Sequence, residues 1–166
     1  MKEIKYSECA NETVGELSKG AFLTSQAEGR VNSMTIGWGS VGFMWGKPVF
    51  MVMVRSSRYT HELLAKSTEF TVTIPRGDLK EALKLCGTKS GRDMDKLAAA
   101  GLKTRAGSKT ATPVLDCAGI HYECKIVYRQ DMSEEQMTAE VKDKWYGSDP
   151  LHTLYFGEIL ASYETE

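Results

Sequence analysis

The stretch Thr35–Pro48, TIGWGSVGFMWGKP, contains the pattern G-x-G-x-x-G at Gly37–Gly42. In a doubly wound α/β protein, that pattern lets a strand turn tightly into a helix whose N-terminus holds a dinucleotide pyrophosphate. The crossover to the next strand then needs at least about 10 to 12 residues. Only six residues, Phe43–Pro48, follow the pattern before the next apolar run, and Gly46 and Pro48 among them break helices. The glycines therefore favour tightly bent β structure in which another part of the chain approaches the backbone closely.

Outward from this stretch, the chain alternates between strands and short helices. Apolar or alternating runs that end at turn residues are typical of strands. They occur at Gly20–Ala27, Met34–Trp38, Val49–Val54, Phe70–Ile74, Ile120–Val127 and Leu154–Tyr163. A hairpin turn at Glu28-Gly29 is expected to lead from the first run into Arg30-Val31. No internal repeat, low-complexity tract or linker interrupts the pattern, so residues 1–166 are expected to form one domain.

Short helices are predicted between the strands, and two of them carry end signals. Asp78 with Glu81 three residues later opens one helix, which Gly87 is expected to end. Ser133 with Gln136 opens another in the same way. The predicted helices are Tyr59–Lys66, Asp78–Cys86, Asp93–Ala100 and Ser133–Lys144. Because strands outnumber helices, we expect a mainly β protein, a closed or nearly closed antiparallel barrel with short peripheral helices.

The composition is that of an ordinary globular protein and disfavours several functions. Hydrophobic residues make up 42% of the chain and charged residues 26%, with a net charge of −1. No basic run supplies the positive surface that nucleic acids or membrane surfaces require. The chain opens without a signal-like apolar segment and contains no apolar run of membrane-spanning length, so a cytoplasmic protein is expected. The four cysteines lack the grouping of a disulfide framework or zinc site and are expected to be reduced and mostly buried: Cys9, Cys86, Cys117 and Cys124.

The segment Arg55–Thr60, RSSRYT, carries the clearest chemical signal. It combines two guanidinium groups and three hydroxyl groups with the free amides of a helix expected to begin near Tyr59. Cations beside a helix N-terminus are unfavourable unless an anion lies there as well. Together these donors are typical of a phosphate site. The alternative is a solvated loop in which Ser57 only caps the helix.

The segment Asn32–Thr35 is the second candidate. Asn and Thr at the end of a hairpin are usually turn formers. Here, however, Gly37 and Gly39 follow and leave the backbone accessible. Exposed amides and carbonyls at this point would suit the edge of a planar ring. Three aromatic residues are candidates to stack on such a ring, although aromatic residues in a barrel often belong to the core: Trp38, Trp45 and Tyr59.

Six blocks of the sequence together resemble the flavin reductase-like, FMN-binding split-barrel family, and its flavoredoxin-type branch in particular. They are NSMTIGWG at 32–39, VRSSRYTHELL at 54–64, FTVTIP at 70–75, CGTKSGRDMDKL at 86–97, HYECKIVYRQDM at 121–132 and HTLYFGEILASY at 152–163. The resemblance extends roughly from Gly20 to the C-terminus. Each block alone is a weak signal, whereas the combination of RSSRYTHE with CGTKSGRDMDK is specific.

The resemblance implies a six-stranded Greek-key split β-barrel that forms homodimers, with FMN near the subunit interface. In such proteins the segment matching Asn32–Ile36 contacts the isoalloxazine ring largely through its backbone. The segment matching Arg55–Thr60 takes the phosphate and ribityl chain, and the loop matching Cys86–Arg92 borders the flavin. The implied FMN-binding residues are Asn32, Ser33, Met34, Thr35, Ile36, Arg55, Ser56, Ser57, Arg58, Tyr59, Thr60, Cys86, Lys89 and Ser90.

Two features depart from the family pattern. Ser57 follows another serine rather than a proline, which leaves the loop more flexible before binding. His121-Tyr122 stands where apolar residues are expected, which would alter one face of a strand but not the flavin contacts.

The histidines do not form an acid–base constellation. His61, His121 and His152 are far apart in the sequence, and no Ser/His/Asp arrangement is visible. His61 is expected on a helix surface, and His152 either caps the final strand or lines the cleft. Flavin chemistry needs no such constellation, because the cofactor accepts the hydride and the protein orients it.

The resemblance leaves two functions open. The first is an oxidoreductase in which bound FMN accepts a hydride from NAD(P)H and passes electrons to a second flavin, iron or a protein. The second is a non-enzymatic carrier that moves electrons between protein partners. A binding module without flavin is a third alternative, which the intact Arg55, Arg58 and Thr60 disfavour. Without a Rossmann loop, any NAD(P)H site would be shallow, with Lys89 and Arg92 as candidate contacts.

Overall fold

The computed structural model describes all 166 residues and contains ten strands, five α-helices and one 3-10 helix. In chain order the elements are β1 (Lys2–Glu3), α1 (Tyr6–Leu17), β2 (Ala21–Ala27), β3 (Arg30–Ile36), β4 (Gly39–Met44), β5 (Lys47–Arg55), α2 (Tyr59–Ala65), β6 (Glu69–Pro75), α3 (Lys80–Thr88), α4 (Lys96–Ala99), β7 (Thr104–Arg105), β8 (Val114–Leu115), β9 (Gly119–Asp131), the 3-10 helix Glu134–Gln136, α5 (Ala139–Trp145) and β10 (His152–Thr165).

Most strands belong to one antiparallel sheet. Its order is β3-β2-β6-β9-β10-β5-β4, β1 pairs with β10, and β7 and β8 form a separate pair. The expected class, mainly β with short peripheral helices, is confirmed. The sheet contains eight strands rather than the six that the resemblance implies, because the glycine-rich β4 and the short β1 pair as well.

The two ends of the sheet are joined by a very short link. β3 and β4 are the outermost of seven strands, yet only Gly37 and Trp38 separate Ile36 from Gly39. A flat sheet of that size would hold its edges about 29 Å apart. Three Cα–Cα steps span at most about 11 Å. The sheet must therefore curl so that the end of β3 comes near the start of β4, and the two strands do not pair.

The glycine pattern of the opening stretch lies in β4 and its turns, which confirms that no crossover helix follows it. A Cβ at Gly39 would lie 2.9 Å from the carbonyl oxygen of Met51 in β5. Trp45 and Gly46 both have positive φ, 53° and 72°, and form the turn of the β4–β5 hairpin. The expected close approach of another chain segment is thus present.

Helix α1 was not predicted, because its buried face carries few apolar residues. Cys9, Thr13 and Leu17 follow each other at intervals of four and are all buried. The hydroxyl of Tyr122 lies 2.6 Å from Thr13 Oγ1 and 3.0 Å from Cys9 Sγ. Tyr122, one of the two residues that depart from the family pattern, therefore anchors α1.

His121, the second of these two residues, has hydrogen-bond partners at both ring nitrogens. His121 is buried, and its Nδ1 lies 3.1 Å from Thr73 Oγ1. Its Nε2 lies 2.9 Å from Thr165 Oγ1 and 3.1 Å from the carbonyl oxygen of Cys117. Both side chains are tied to the scaffold and neither lines the pockets described below.

Several predicted helix ends were wrong. Helix α3 begins at Lys80 and continues through Gly87. Gly87 does not end the helix; a small residue is required there because a Cβ would lie only 3.3 Å from Thr35 Cβ. The segment Ser133–Lys144 is divided, since Thr138 caps α5 by accepting from the amide of Val141. Helix α4 is shorter than predicted because Asp95, rather than Asp93, caps it.

The remaining expectations concern cysteines and membranes. All four cysteines are free, three of them buried and Cys117 partly buried, as expected. None of the helices has the length and apolar character needed to cross a membrane.

We expect Gly157→Ala to destabilise the protein by about 1 to 3 kcal/mol through overpacking. Gly157 lies in β10 beside a register shift, and a Cβ there would lie 2.5 Å from Phe70 Cζ and 2.7 Å from Cys124 Cβ. The matched control is Gly15→Ala in α1, where the added Cβ meets nothing within 4 Å. The control should gain about 0.5 to 1 kcal/mol from helix propensity. Urea unfolding measures both, and equal effects of the two substitutions would contradict this packing.

Candidate functional site

Two adjoining pockets open at the split between β3 and β4. The first, the polar pocket, has a volume of about 90 Å³. It is lined by Asn32, Met34, Ser57, Arg58, Tyr59, Thr60, the segment 86–92 and Lys96. The second, the aromatic pocket, has a volume of about 180 Å³. It is lined by Met34, Thr35, Ile36, Gly37, Trp38, Met53, Arg55, Arg58 and His152. Met34 and Arg58 line both, so the two pockets form one continuous region.

Strand β3 supplies Asn32 and Met34 to the polar pocket and Met34, Thr35 and Ile36 to the aromatic pocket. Asn32 is buried and its Nδ2 donates to Thr60 Oγ1 over 2.9 Å, which ties β3 to α2 at the polar pocket. Thr35 Oγ1 donates to the carbonyl oxygen of Leu83 over 2.6 Å and fixes the strand against α3. Ser33 faces the opposite side, because its hydroxyl is buried against Thr24 and the carbonyl oxygen of Leu23. The side chain of Ser33 therefore lies outside both pockets.

The RSSRYT segment divides its residues between different tasks. Arg58 is exposed, lines both pockets and makes no side-chain hydrogen bond or ion pair. Ser57 lines the polar pocket, and it does not cap α2, whose N-cap position belongs to Arg58. Ser56 is exposed and lines neither pocket.

Arg55 is committed to the segment that precedes β10. Its Nη1 donates to the carbonyl oxygen of Pro150 and its Nη2 to that of Trp145, both over 2.9 Å. Its guanidinium group also lies 5.0 Å from the ring centroid of Tyr146. Arg55 thus borders the aromatic pocket and holds α5 beside it, and it does not line the polar pocket.

The loop after α3 closes the polar pocket. Arg92 donates from Nε and Nη2 to Glu62, and from Nη1 to the carbonyl oxygen of Ser57 over 3.1 Å, which clamps the loop to α2. Gly91 is required there, because a Cβ would lie 2.7 Å from Tyr59 Cδ1 and would overlap the amide of Asn32. Cys86 is buried, and burial raises the pKa of its thiol. Lys89 is exposed at the rim.

Lys96 is a pocket residue that the sequence did not reveal. Its side chain is only 4% exposed, and it lines the polar pocket. Its Nζ donates to the carbonyl oxygen of Cys86 over 2.9 Å, and no carboxylate lies within ion-pair distance. Burial lowers the pKa of Lys96. A buried ammonium group without an anionic partner is costly, because it has lost most of its hydration. In the sequence, Lys96 lies in the block CGTKSGRDMDKL that carries the family resemblance, but nothing local marks its burial.

Trp38 and His152 line the aromatic pocket, and Trp145 lies against Trp38. The rings of Trp38 and Trp145 meet edge to face, with centroids 5.1 Å apart, and Trp38 lies 5.3 Å from His152. His152 is buried and its Nδ1 lies 2.9 Å from the hydroxyl of Tyr146. Burial and the charges of Arg55 and Arg58 lower the pKa of His152 to about 4. His152 is therefore a neutral imidazole at physiological pH.

Some candidate residues lie elsewhere. Trp45 meets Tyr128 and Phe156 edge to face beside the β4–β5 turn and lines neither pocket. His61 is only half-buried on α2, and its Nε2 lies 3.0 Å from Thr153 Oγ1 rather than pointing freely into solvent. No group of three or more His, Cys, Asp or Glu residues is arranged to hold a metal ion.

The donor set of the region fits a ligand with an anionic end and a planar end. At the polar pocket, three cations lack carboxylate partners (Arg58, Lys89 and Lys96), and Ser57 and Ser90 add hydroxyl groups. Glycines at 87 and 91 bring the backbone of the loop close to the opposite wall. At the aromatic pocket, apolar side chains and one neutral imidazole lie beside Arg55 and Arg58. A phosphate linked to an aromatic ring system matches both ends.

Comparisons with known proteins give a consistent assignment. The chain matches the model of the flavin reductase like domain over residues 18–164. An uncharacterized protein of Archaeoglobus fulgidus is 27% identical over 139 residues, which cover 84% of this chain and 68% of that protein. The structure of a flavoredoxin from Methanosarcina acetivorans is 26% identical with a TM-score of 0.70, covering 89% of this chain and 68% of that one. The FMN-binding protein of Thermus thermophilus with bound 1-cyclohex-2-enone is 26% identical with a TM-score of 0.67, covering 87% and 69%.

We expect an NMR titration to show the His152 imidazole titrating near pH 4, far below its ordinary 6.5. Arg58→Gln removes one of the charges that lower this pKa, so the pKa should rise. His121 is the internal control, because burial and Arg105 lower its pKa to about 4 without any contribution from Arg58. Since the fold favours neutral His152, its contribution to stability is complete above pH 6.5 and is lost as the pH falls toward 4. An unshifted His152 in the variant would contradict the arrangement of the aromatic pocket.

Proposed function

The chain belongs to the flavin reductase like domain family, and from that membership we propose that it binds FMN across the two pockets and works as a flavin-dependent oxidoreductase. The phosphate and ribityl chain of FMN would occupy the polar pocket. The isoalloxazine ring would lie along β3, toward the aromatic pocket. Bound FMN supplies the hydride- and electron-accepting chemistry, and the protein supplies binding, orientation and electrostatics.

The observation that carries the proposal is that three cations at the polar pocket, Arg58, Lys89 and Lys96, have no carboxylate partner. The buried Lys96 has one carbonyl partner, and Arg58 has no side-chain partner. A phosphate dianion between them would compensate both charges and accept charge-assisted hydrogen bonds. By contrast, Arg55 and Arg92 are already engaged with carbonyl oxygens or a carboxylate. We therefore assign the phosphate to Arg58 and Lys96, with Ser57 and Ser90 beside them, and give Arg55 a positioning role.

The ring end is built to exclude water and to orient a planar group. Met34, Thr35 and Ile36 lie at the edge strand, where the split leaves backbone groups of β3 without a strand partner. Trp38 and His152 face them across the aromatic pocket. Neutral His152 offers a hydrogen bond without adding charge near the ring. Hydrogen bonds from exposed backbone groups and contact with flat side chains suit an isoalloxazine edge.

A carrier function is the second candidate. The similarity to a flavoredoxin structure at 26% identity supports it. The reductase function needs space for a nicotinamide beside the ring, and the aromatic pocket is open to the surface beside Trp38, which is 36% exposed. We place the reductase first because of this opening.

The assembly remains a proposal. We propose a homodimer in which the exposed aromatic pair Trp45 and Tyr128 contributes to the interface; Trp45 is 60% and Tyr128 44% exposed, and their ring centroids lie 5.8 Å apart. Contiguous exposed apolar patches of this kind mark interaction sites. A cytoplasmic location likewise remains a prediction from the sequence.

We expect Arg58→Ala and Lys96→Met each to weaken FMN binding while leaving riboflavin binding nearly unchanged. Each substitution removes a charge-assisted hydrogen bond of about 1.5 to 3 kcal/mol, equivalent to about 10- to 150-fold in affinity. The control is Lys80→Met, which removes an exposed cation outside both pockets. Fluorescence quenching of each flavin by the apoprotein measures the affinities. Riboflavin binding as tight as FMN binding in the wild type would remove the phosphate site from the proposal.

We expect NADH or NADPH to reduce the FMN-loaded protein in anaerobic stopped flow with weak saturation, because no Rossmann loop anchors the dinucleotide. Bleaching of the oxidised flavin spectrum is the readout, with dithionite as the positive control. If millimolar NADH and NADPH leave the spectrum intact for minutes while dithionite reduces it at once, the protein is a carrier rather than a reductase.

A further inference from the structure

A third cavity lies beside the polar pocket, on the other side of Tyr59. This cavity, the outer groove, has a volume of about 450 Å³ and lies between the start of β3, α2 and the segment 91–97. It shares a wall with the polar pocket, formed by Asn32, Tyr59, Gly91, Arg92 and Lys96. FMN in the two pockets described above leaves the outer groove without a role.

Two arginines flank Tyr59 in the outer groove. Arg30 Nη1 lies 3.4 Å from the hydroxyl oxygen of Tyr59, to which it donates. The guanidinium carbon of Arg92 lies 5.7 Å from the centroid of the Tyr59 ring. Arg92 is paired with Glu62, whereas Arg30 has no carboxylate within ion-pair distance and Tyr59 is its only side-chain partner. The groove therefore contains an uncompensated cation next to an aromatic ring.

The opposite wall adds apolar surface and a carboxylate. Met94 is 37% exposed although it is a large apolar side chain. Asp93 is exposed and makes no ion pair, while Asp95 already accepts from the amide of Ala98 at the start of α4. Apolar and aromatic surface suits a base, a free carboxylate suits a ribose diol, and an unpaired arginine suits a phosphate. This combination is the set of groups that a nucleotide requires.

We propose that the outer groove binds the adenylate half of a dinucleotide. Arg30 would hold its phosphate, Met94 and Tyr59 its base, and Asp93 its ribose. The inference rests on the proposed function, because Lys96 and Arg92 border both cavities and so bring the adenylate phosphate next to the flavin phosphate. Two molecules present this chemistry, FAD with its own adenylate and NAD(P)H docking beside bound FMN.

The test compares the wild type with Arg30→Gln. Lys125→Gln is the control, since it removes one exposed cation from β9, outside the groove. Calorimetric titrations with AMP, FMN and FAD are made on the apoprotein, and NADPH reduction is followed on the FMN-loaded protein. We expect Arg30→Gln to weaken AMP binding by about 10- to 150-fold, as loss of a charge-assisted hydrogen bond predicts, and to leave FMN affinity unchanged.

FAD and NAD(P)H, the two possible sources of the adenylate, predict different results. If FAD is the source, wild-type protein binds FAD more tightly than FMN, and Arg30→Gln removes the difference. If NAD(P)H is the source, FAD and FMN bind equally, AMP competes with NADPH, and Arg30→Gln raises the NADPH concentration at half-saturation. The inference would be overturned if Arg30→Gln changed neither the affinity for AMP, nor the affinity for FAD, nor the NADPH concentration at half-saturation. Failure of the wild type to bind FMN would instead refute the proposed function, and AMP titration of the apoprotein would still test the groove.

Discussion

The short link between Ile36 and Gly39 is the constraint on which the structure depends. Its ends belong to the two outermost strands of a seven-strand path, so the sheet cannot stay open and flat. Curling brings the end of β3 near the start of β4 without pairing them. The unpaired edge lies where the aromatic pocket opens, and Gly37 and Trp38 of the link line that pocket. The element that bends the sheet is thus also part of the site.

Charge distribution around the pockets follows from what each cation can reach. Arg55 is satisfied by two carbonyl oxygens and Arg92 by Glu62, so both act as clamps on neighbouring segments. Arg58 and Lys96 have no anionic partner, and for Lys96 the burial makes this expensive. A protein gains nothing for its own stability from such a buried charge. The FMN phosphate proposed to bind at that point would account for it.

The strands and the chemical segments were largely predictable from the sequence, because their signals are local. Alternation and turn residues marked the strands, and the Glu28-Gly29 turn is present with both residues at positive φ. The RSSRYT and NSMT segments lie at the pockets as a group, and most of their residues line one pocket or the other. The helices were less predictable. Packing rather than local end signals governs their ends. Gly87, for example, is required by its close approach to Thr35 and does not end α3.

What the sequence by itself determined is the strand pattern, the absence of a crossover helix after Gly42 and the donor groups of the site. Those properties depend on residues that are neighbours in the chain. Tertiary structure alone decided which cation remains free, because Arg55 meets Trp145 and Pro150 far along the chain while Lys96 is buried beside Cys86. It also decided that Ser33 faces the interior, since strand register sets which face a side chain occupies. Contacts between residues that are distant in the chain, and the burial that results, cannot be predicted from a local sequence pattern.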